Sequence, residues 1–243
     1  MCHNAFWFQG RPFAPDQPGG AVPEILAGLV KLYRALDPDV LCLQEIQSEG
    51  VFQHLREQME MSGAYCPGGA LPQYGGAVLW REGKLLSDWH DGDDPPERMW
   101  QIVEPPFADG VVRVANVHLP SSRHLGEERA AGRRLEEMGI VAGHGPAPDV
   151  VVGDFNEQPG GPLGRFLAAH GYEDAAVLTG RTHIGTTPGN RRNDQIWVIQ
   201  RFWDSVADYS ATSNDEMVTD VPGKEHLSDH FPVWIELRAE TKT

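Results

Sequence analysis

Two runs in this chain, DVLCLQE (39–45) and DVVVGDF (149–155), are of strand length and apolar on both alternating faces. A strand presents successive side chains to opposite faces. One that is apolar on both must therefore be covered on both sides. The sequence supplies cover. PEILAGLVKLYRAL sets Leu26, Leu29, Val30, Tyr33 and Leu36 at helical spacing, opens with a proline suited to a first turn and stops at Asp37-Pro38. SEGVFQHLREQMEMSG predicts a helix with Val51, Leu55 and Met59 on one face and Gly63 at its end. LGEERAAGRRLEEMGIVAG predicts a surface helix, and PLGRFLAAHG a further one. GAVLWR, MWQIVE, VVRVANVHL, DQIWVIQ, a segment near FWDSVADY and FPVWIELR are rich in β-branched and aromatic residues and predict strands. The pattern favours a layered α/β fold. It leaves open the strand order, and whether one sheet lies between helices or two sheets stack.

No linker-like stretch or fixed-period repeat interrupts the 243 residues, which predicts a single domain over 1–243. The net charge of -15, from 35 acidic and 20 basic side chains, has the wrong sign for broad contact with a nucleic-acid backbone. A carboxylate cluster built for divalent cations would itself add negative charge. Three cysteines without C-x-x-C spacing argue against a disulfide framework and a zinc knuckle. No apolar stretch reaches membrane-spanning length and MCHNAFWF lacks a signal-peptide pattern, so the expected location is the cytoplasm.

Polar residues recur at the ends of the apolar runs: Glu45, His118, Asp154 with Asn156, and Asp229-His230. In a layered sheet protein such positions can converge on one rim. Carboxylates, an amide and imidazoles are the donors that a Mg²⁺-assisted phosphoryl site needs. Residues two apart on an extended strand project to one side, so Asp154 and Asn156 can address one phosphate while Phe155 anchors the opposite face.

Six motifs, in order along nearly the whole chain, resemble the endonuclease/exonuclease/phosphatase superfamily: CHNAF with Asn4, LQE with Glu45, VHLPSS with His118, GDFN, RNDQIWV with Asp194 and LSDHFPV. The resemblance implies a four-layer α/β sandwich of two stacked mixed sheets with helices on the outer faces. It also implies a Mg²⁺- or Mn²⁺-dependent hydrolase that attacks phosphoesters in line with water, without a covalent intermediate. Carried over by position, Glu45 is the principal metal ligand, with Asn4 and Asp229 near the same ion. His230 acts on the water or holds the phosphate, and Asp194 orients its ring. Asp154 positions or deprotonates water, while His118 and Asn156 donate to phosphate oxygens. Phe6 stands where abasic-site enzymes carry an acidic residue and His118 where they carry Tyr, which disfavours a dedicated DNA-repair role.

Other chemistries lack their residues. There is no H-E-x-x-H, and His118 and His124 flank a loop-like LPSSR. Neither Gly83-Lys84 nor Gly223-Lys224 continues as a P-loop. Arg181, His183, Arg191 and Arg192 form a basic loop beside Asp194, suited to a phosphate-bearing substrate or to plain solvation, and Arg98 and Ser121 are further candidates for phosphate contact. Phe6, Trp7, Phe8 and Phe13 can stack on a base or ring, or pack in the core. The expected partner is a small or single-stranded phosphoester, and the sequence implies no protein partner. The alternative is a non-catalytic nucleic-acid- or protein-binding module on the same fold. Such a module would be expected to lose part of the acid, amide and histidine set that this chain keeps.

Overall fold

The computed structural model describes residues 1–12, 20–92 and 94–239. Its strands in chain order are β1 (Cys2–Asn4), β2 (Val40–Gln44), β3 (Ser62–Cys66), β4 (Gly76–Trp80), β5 (Lys84–Asp88), β6 (Met99–Glu104), β7 (Pro106–Phe107), β8 (Gly110–Val111), β9 (Val114–His118), β10 (Val150–Asp154), β11 (Tyr172–Asp174), β12 (Asp194–Ile199), β13 (Val206–Ala211) and β14 (Val233–Leu237). The helices that cover them include α1 (Pro23–Leu36), α2 (Glu49–Met59), α3 (Ser122–Leu125), α4 (Glu127–Ala142) and α5 (Pro162–Ala169). Two six-stranded mixed sheets form, in the orders β13-β14-β1-β2-β4-β3 and β11-β12-β10-β9-β6-β5, and β7-β8 make a small hairpin. Two sheets stack, as the resemblance implied.

The alternation of the strands builds three apolar layers. Cys42, Val78, Val150, Val152, Ile196 and Val233 meet between the sheets. Leu41, Leu43 and Leu79 point the other way, onto Ile25, Leu29 and Tyr33 of α1 and Phe52 and Leu55 of α2. Val117, Val151 and Trp197 likewise face Met138 and Val141 of α4 and Leu163 and Leu167 of α5. Each fully buried aliphatic side chain in these layers contributes about 1.5–3 kcal/mol. That explains why the β2 and β10 runs tolerate no polar residue until their ends.

Several boundaries differ from expectation. α2 ends at Met59 with Glu60 in the left-handed region, and Gly63 lies inside edge strand β3, where a Cβ would sit 2.8 Å from the Val78 carbonyl oxygen. Residues 111–119 do not form one strand, because Val111 belongs to the β7-β8 hairpin and β9 begins at Val114. Gln200–Ser205 is a 3₁₀ turn that leads into β13. The predicted surface helix α4 buries Ala130, Arg134, Glu137, Met138 and Val141 along one side. Among the described residues no helix is long and apolar enough to cross a membrane.

Gly153 has a steric requirement of its own. Its φ is +148°, and a Cβ there would lie 1.8 Å from the Val117 carbonyl oxygen on neighbouring β9. Close approach of β9 and β10 at this point sets Asp154 opposite His118. Gly153→Ala is expected to cost about 2–3 kcal/mol, from overpacking against backbone and an unfavourable φ. A thermal melt lowered by several degrees, with activity reduced even at permissive temperature, is the outcome to look for.

Candidate active site

Strand parity and register assemble the site at one rim of the sandwich. Asn4 has the inward parity of Cys2, and Asp154 that of Val150 and Val152. In the second sheet, Asp154 pairs with His118 on one side and with Asp194 on the other, while Met99, the neighbour of Arg98, pairs with His118. In the first sheet Asn4 pairs with Gln44, next to Glu45. The Ser228-Asp229-His230 loop docks on β1: the Ser228 hydroxyl donates to the Asn4 carbonyl at 2.8 Å, and His3 Nε2 donates to the His230 carbonyl at 3.1 Å. Burial holds His3 down at about 3, so its neutral ring can also accept from the Tyr33 hydroxyl through Nδ1 at 2.6 Å.

Asp154 is buried and held on both oxygens. Asn4 Nδ2 donates to Oδ2 at 3.1 Å, and the Asn156 backbone N–H donates to Oδ1 at 2.9 Å. His230 Nε2 lies 3.9 Å from Oδ2, while its Nδ1 donates to Asp194 Oδ2 at 2.7 Å. That oxygen also accepts from the Thr186 hydroxyl at 2.7 Å. Burial alone would lower the affinity of His230 for its proton, but Asp194 first, then Asp154 and Asp229, outweigh it and hold the ring well above its usual range. The imidazolium is thus a fixed positive charge beside Asp154.

His118 is the opposite case. Burial first, then the Arg98 guanidinium and His230, push it well below its usual range. Arg98 Nη1 contacts His118 Nε2. Because Arg has no acceptor, His118 Nε2 must accept that bond. His118 Nδ1 then carries the ring proton and is buried without a partner, and Arg98 adds guanidinium N–H donors at the same position. The arginine is 4% exposed, lies over the Tyr74 ring at 4.2 Å and stands 3.8 Å from a Glu45 oxygen.

Glu45 follows β2 with φ +57°, a conformation outside the strand that carries it off strand parity and into the rim. Its backbone is fixed on both sides, by Trp7 N–H donating to Glu45 O at 3.0 Å and Ile46 N–H donating to Gly75 O at 2.9 Å. Burial pushes the Glu45 carboxyl up to about 8, and burial also raises Asp229. Glu45 Oε2 and Asp229 Oδ1 are buried without a hydrogen-bond partner. These two oxygens are free to bind a hard cation. Ligand atoms of Asp154, Asp194 and His230 also lie within 4.8 Å of one another. There, however, the imidazolium already occupies Asp194.

Several expected contacts fall elsewhere. Asn156 is not on an extended strand: β10 ends at Asp154, Asn156 has φ +49°, and its side-chain amide donates to the Leu119 carbonyl at 3.0 Å. A turn, not strand parity, places it beside Asp154, while Phe155 does pack into the outer core. Arg192 is buried in an ion pair with Asp174, which removes it from the substrate-facing set, and Arg181 pairs with Asp208 at 2.7 Å. Of the basic loop, Arg191 and His183 stay exposed. The Ser121 hydroxyl accepts from Arg123 N–H and caps α3. Trp7 and Phe8 are core, Phe6 is half-buried, and Phe13 lies outside the described residues.

Sequence reasoning missed Arg134. It is fully buried, donating to the Pro120 carbonyl at 3.1 Å and pairing with Glu127 at 2.6 Å and Glu157 at 3.5 Å. It thereby pins the two loops that follow His118 and Asn156. Its spacing from Ala130 and Met138 was the available signal, because four residues either way along a helix is the same face. A cleft of about 610 Å³ opens at the opposite rim, lined by Met1, Val40, Val114, Val150 and Leu237. None of the catalytic candidates is there.

Residues 19–230 match the Endonuclease/Exonuclease/phosphatase family. Protein angel homolog 2 from Bos taurus is 30% identical over 174 residues, 61% of this chain, and the chain spans about a third (32%) of that relative's length. Among solved structures, D. rerio TDP2 humanized by 14 mutations superposes with a TM-score of 0.66 at 16% identity, covering 89% of this chain and 92% of that one. D. rerio TDP2 complexed with single strand DNA product gives 0.61 at 16% identity, covering 89% of this chain and 92% of that one. The human Nocturnin catalytic domain with bound sulfate gives 0.59 at 18% identity and 88% coverage of each chain. At these identities the structures speak to the fold alone. The family match across most of the chain is what makes it a member of the endonuclease/exonuclease/phosphatase family, a family of phosphoesterases that includes nucleases, phosphodiesterases and deadenylases.

Proposed function

We propose that this chain, acting as one domain over residues 1–243, is a divalent-metal-dependent phosphoester hydrolase. The observation that carries the proposal is the pair of partnerless buried oxygens, on Glu45 and Asp229, at the same rim as Asp154 and the Asp194–His230 pair. Glu45, Asp229 and the side-chain oxygen of Asn4, Oδ1, would hold Mg²⁺ or Mn²⁺, which when bound supplies Lewis-acid polarisation of the phosphoryl group. Asp154 orients the attacking water and takes its proton. Asn4 Nδ2, donating to Asp154 Oδ2, and the Asn156 N–H, donating to Oδ1, fix the direction of the carboxylate. The His230 imidazolium and the Arg98 guanidinium donate to non-bridging oxygens as charge builds in the transition state, with Asp194 and Thr186 holding the histidine ring in place.

The substrate class that suits the net charge of -15 is a small or single-stranded phosphoester. The TDP2 complex with single-strand DNA product supports this choice on the same fold. Exposed Arg191 and His183 would take up phosphate beyond the scissile one. A panel of bis-p-nitrophenyl phosphate, p-nitrophenyl phosphate, single-stranded and duplex DNA, RNA, and phosphoinositol and phospholipid headgroups tests it, with Mg²⁺ or Mn²⁺ against EDTA. Turnover that needs the metal and favours single strands over duplex is expected. No hydrolysis of any member by intact protein would turn the assignment toward a binding module.

A further inference from the structure

A second group of metal-ligating side chains lies at the far edge of the same rim. Cys66 ends edge strand β3 of the first sheet, and Asp88 ends edge strand β5 of the second, with His90 in the turn beyond it. Cys66 Sγ, a carboxylate oxygen of Asp88 and a ring nitrogen of His90 all lie within 4.8 Å of one another. We infer that Cys66, Asp88 and His90 form a binding site for a zinc-class divalent cation that ties the edges of the two sheets together.

The donor set fits that class. Thiolate, imidazole and carboxylate are the borderline-soft mixture that Zn²⁺ accepts, and three protein ligands leave one position for water. Around a tetrahedral Zn²⁺ the ligand atoms stand roughly 3.5 Å apart. Small closure is therefore needed, and His90, 49% exposed at its side chain, is the member free to supply it. The thiol proton leaves to solvent as the metal–sulfur bond forms, and no oxidation state changes.

The turn is already docked for the purpose. Trp89, between two of the ligands, donates from Nε1 to the carbonyl of Pro67, the residue after Cys66, at 2.8 Å. Its indole stacks on the His90 ring at 3.7 Å between centroids. His90 Nδ1 and backbone N–H both lie 2.9 Å from Asp88 Oδ1. Burial first, then the Asp88 carboxylate, push the Cys66 thiol well up. Without a cation the acid opposes loss of the thiol proton, and with one the thiolate and the carboxylate are both drawn to it.

The position also reaches the catalytic rim. The loop after Cys66 is bonded to the segment that carries Arg98: Gly69, Ala70 and Leu71 N–H groups donate to the Arg98, Pro96 and Glu97 carbonyls at 2.6, 2.9 and 2.9 Å. A metal at Cys66 would stiffen that segment from outside the hydrolytic site.

Cobalt(II) titration of the whole protein tests the site, because a thiolate ligand gives a near-ultraviolet charge-transfer absorption that oxygen ligands at Glu45 and Asp229 cannot. One equivalent of Co²⁺ should produce the band, Zn²⁺ should abolish it, and Zn²⁺ should raise the melting temperature. Cys66→Ser should lose the band, and His90→Ala should bind about tenfold or more weakly. Should Cys66→Ser fold poorly, His90→Ala at its exposed position still decides the matter. Absence of the band in the parent protein, or a band of unchanged affinity in His90→Ala, overturns the inference. Mg²⁺-dependent hydrolysis by His90→Ala should keep its kcat, which separates this site from the hydrolytic one.

Discussion

Asp154→Ala is expected to lower kcat by about 10³-fold or more while leaving the fold intact, because it removes the group proposed to orient and deprotonate water. Two opposing effects keep the stability change small. The substitution strips the partners from Asn4 Nδ2 and the Asn156 N–H, at a cost of about 1–3 kcal/mol for each group left unpaired. It also relieves repulsion, because the Asp154 charge adds to burial in raising the Glu45 and Asp229 carboxyls. His230→Ala should be equally inactive, since Asp154 would then lack the cation at 3.9 Å. Steady-state rates on bis-p-nitrophenyl phosphate with Mg²⁺ or Mn²⁺, alongside thermal melts, measure both. Near-parental turnover by both variants would remove them from the catalytic set.

Glu45→Gln separates activity from stability in opposite directions. Loss of the anionic ligand should reduce hydrolysis by about 10²-fold or more. In EDTA, however, the variant should melt higher by about 2–4 °C, the shift that about 1 kcal/mol produces in a chain of this size. Linkage gives the pH dependence. Glu45 titrates near 4.5 in a model peptide and is pushed to about 8 in the fold, so the unfolded chain releases its proton first. Metal-free stability therefore falls as pH rises between those values, and the penalty is complete above them. Glutamine has no such slope, so the advantage of the variant should widen across that window. Saturating Mg²⁺ should raise the melting temperature of the parent and not of the variant. A variant that melts lower than the parent in EDTA at pH 8.5 would mean that the Glu45 carboxylate is satisfied in the fold.

What was legible in the sequence is what period and position encode. The 3.6-residue spacing of 23–36 corresponds to α1 to the residue, and strand pattern places His118 and Asp154 at strand ends facing the opposite sheet, a parity that Asn4 and Asp194, which resemblance alone singled out, share in the fold. Long-range contacts set the rest. Glu45 reaches the rim only because Trp7 and Gly75 fix its neighbours' backbone outside strand geometry. Edge strand β3 reads as the end of a helix because Ser62, Gly63 and Ala64 have no alternation to show, and pairing with β4 alone makes it a strand. The charge on Arg192 reads as part of a basic loop until Asp174, eighteen residues earlier, comes to meet it. Arg134 sits in GRRLEEM, where local charge suggests a solvated face and masks the spacing from Ala130 and Met138 that puts it on the buried side.

Directly beneath the catalytic rim, Gln44 Nε2 donates to Asn116 Oδ1 at 2.6 Å across the gap between the sheets, and Asn116 Nδ2 donates to the Leu43 and Ala77 carbonyls, each at 3.2 Å. Both side chains are fully enclosed, and below them the space is filled by Cys42, Val78 and Val152. This amide pair works as a depth stop. On the proposed function, a phosphoester would descend only as far as Asn4, His118 and Asp154, and anything bulkier than a single phosphoryl group would lie across the rim instead of threading between the sheets. Selectivity among substrates is thereby left to the loops above, and the sandwich beneath can hold the same reacting geometry for any of them.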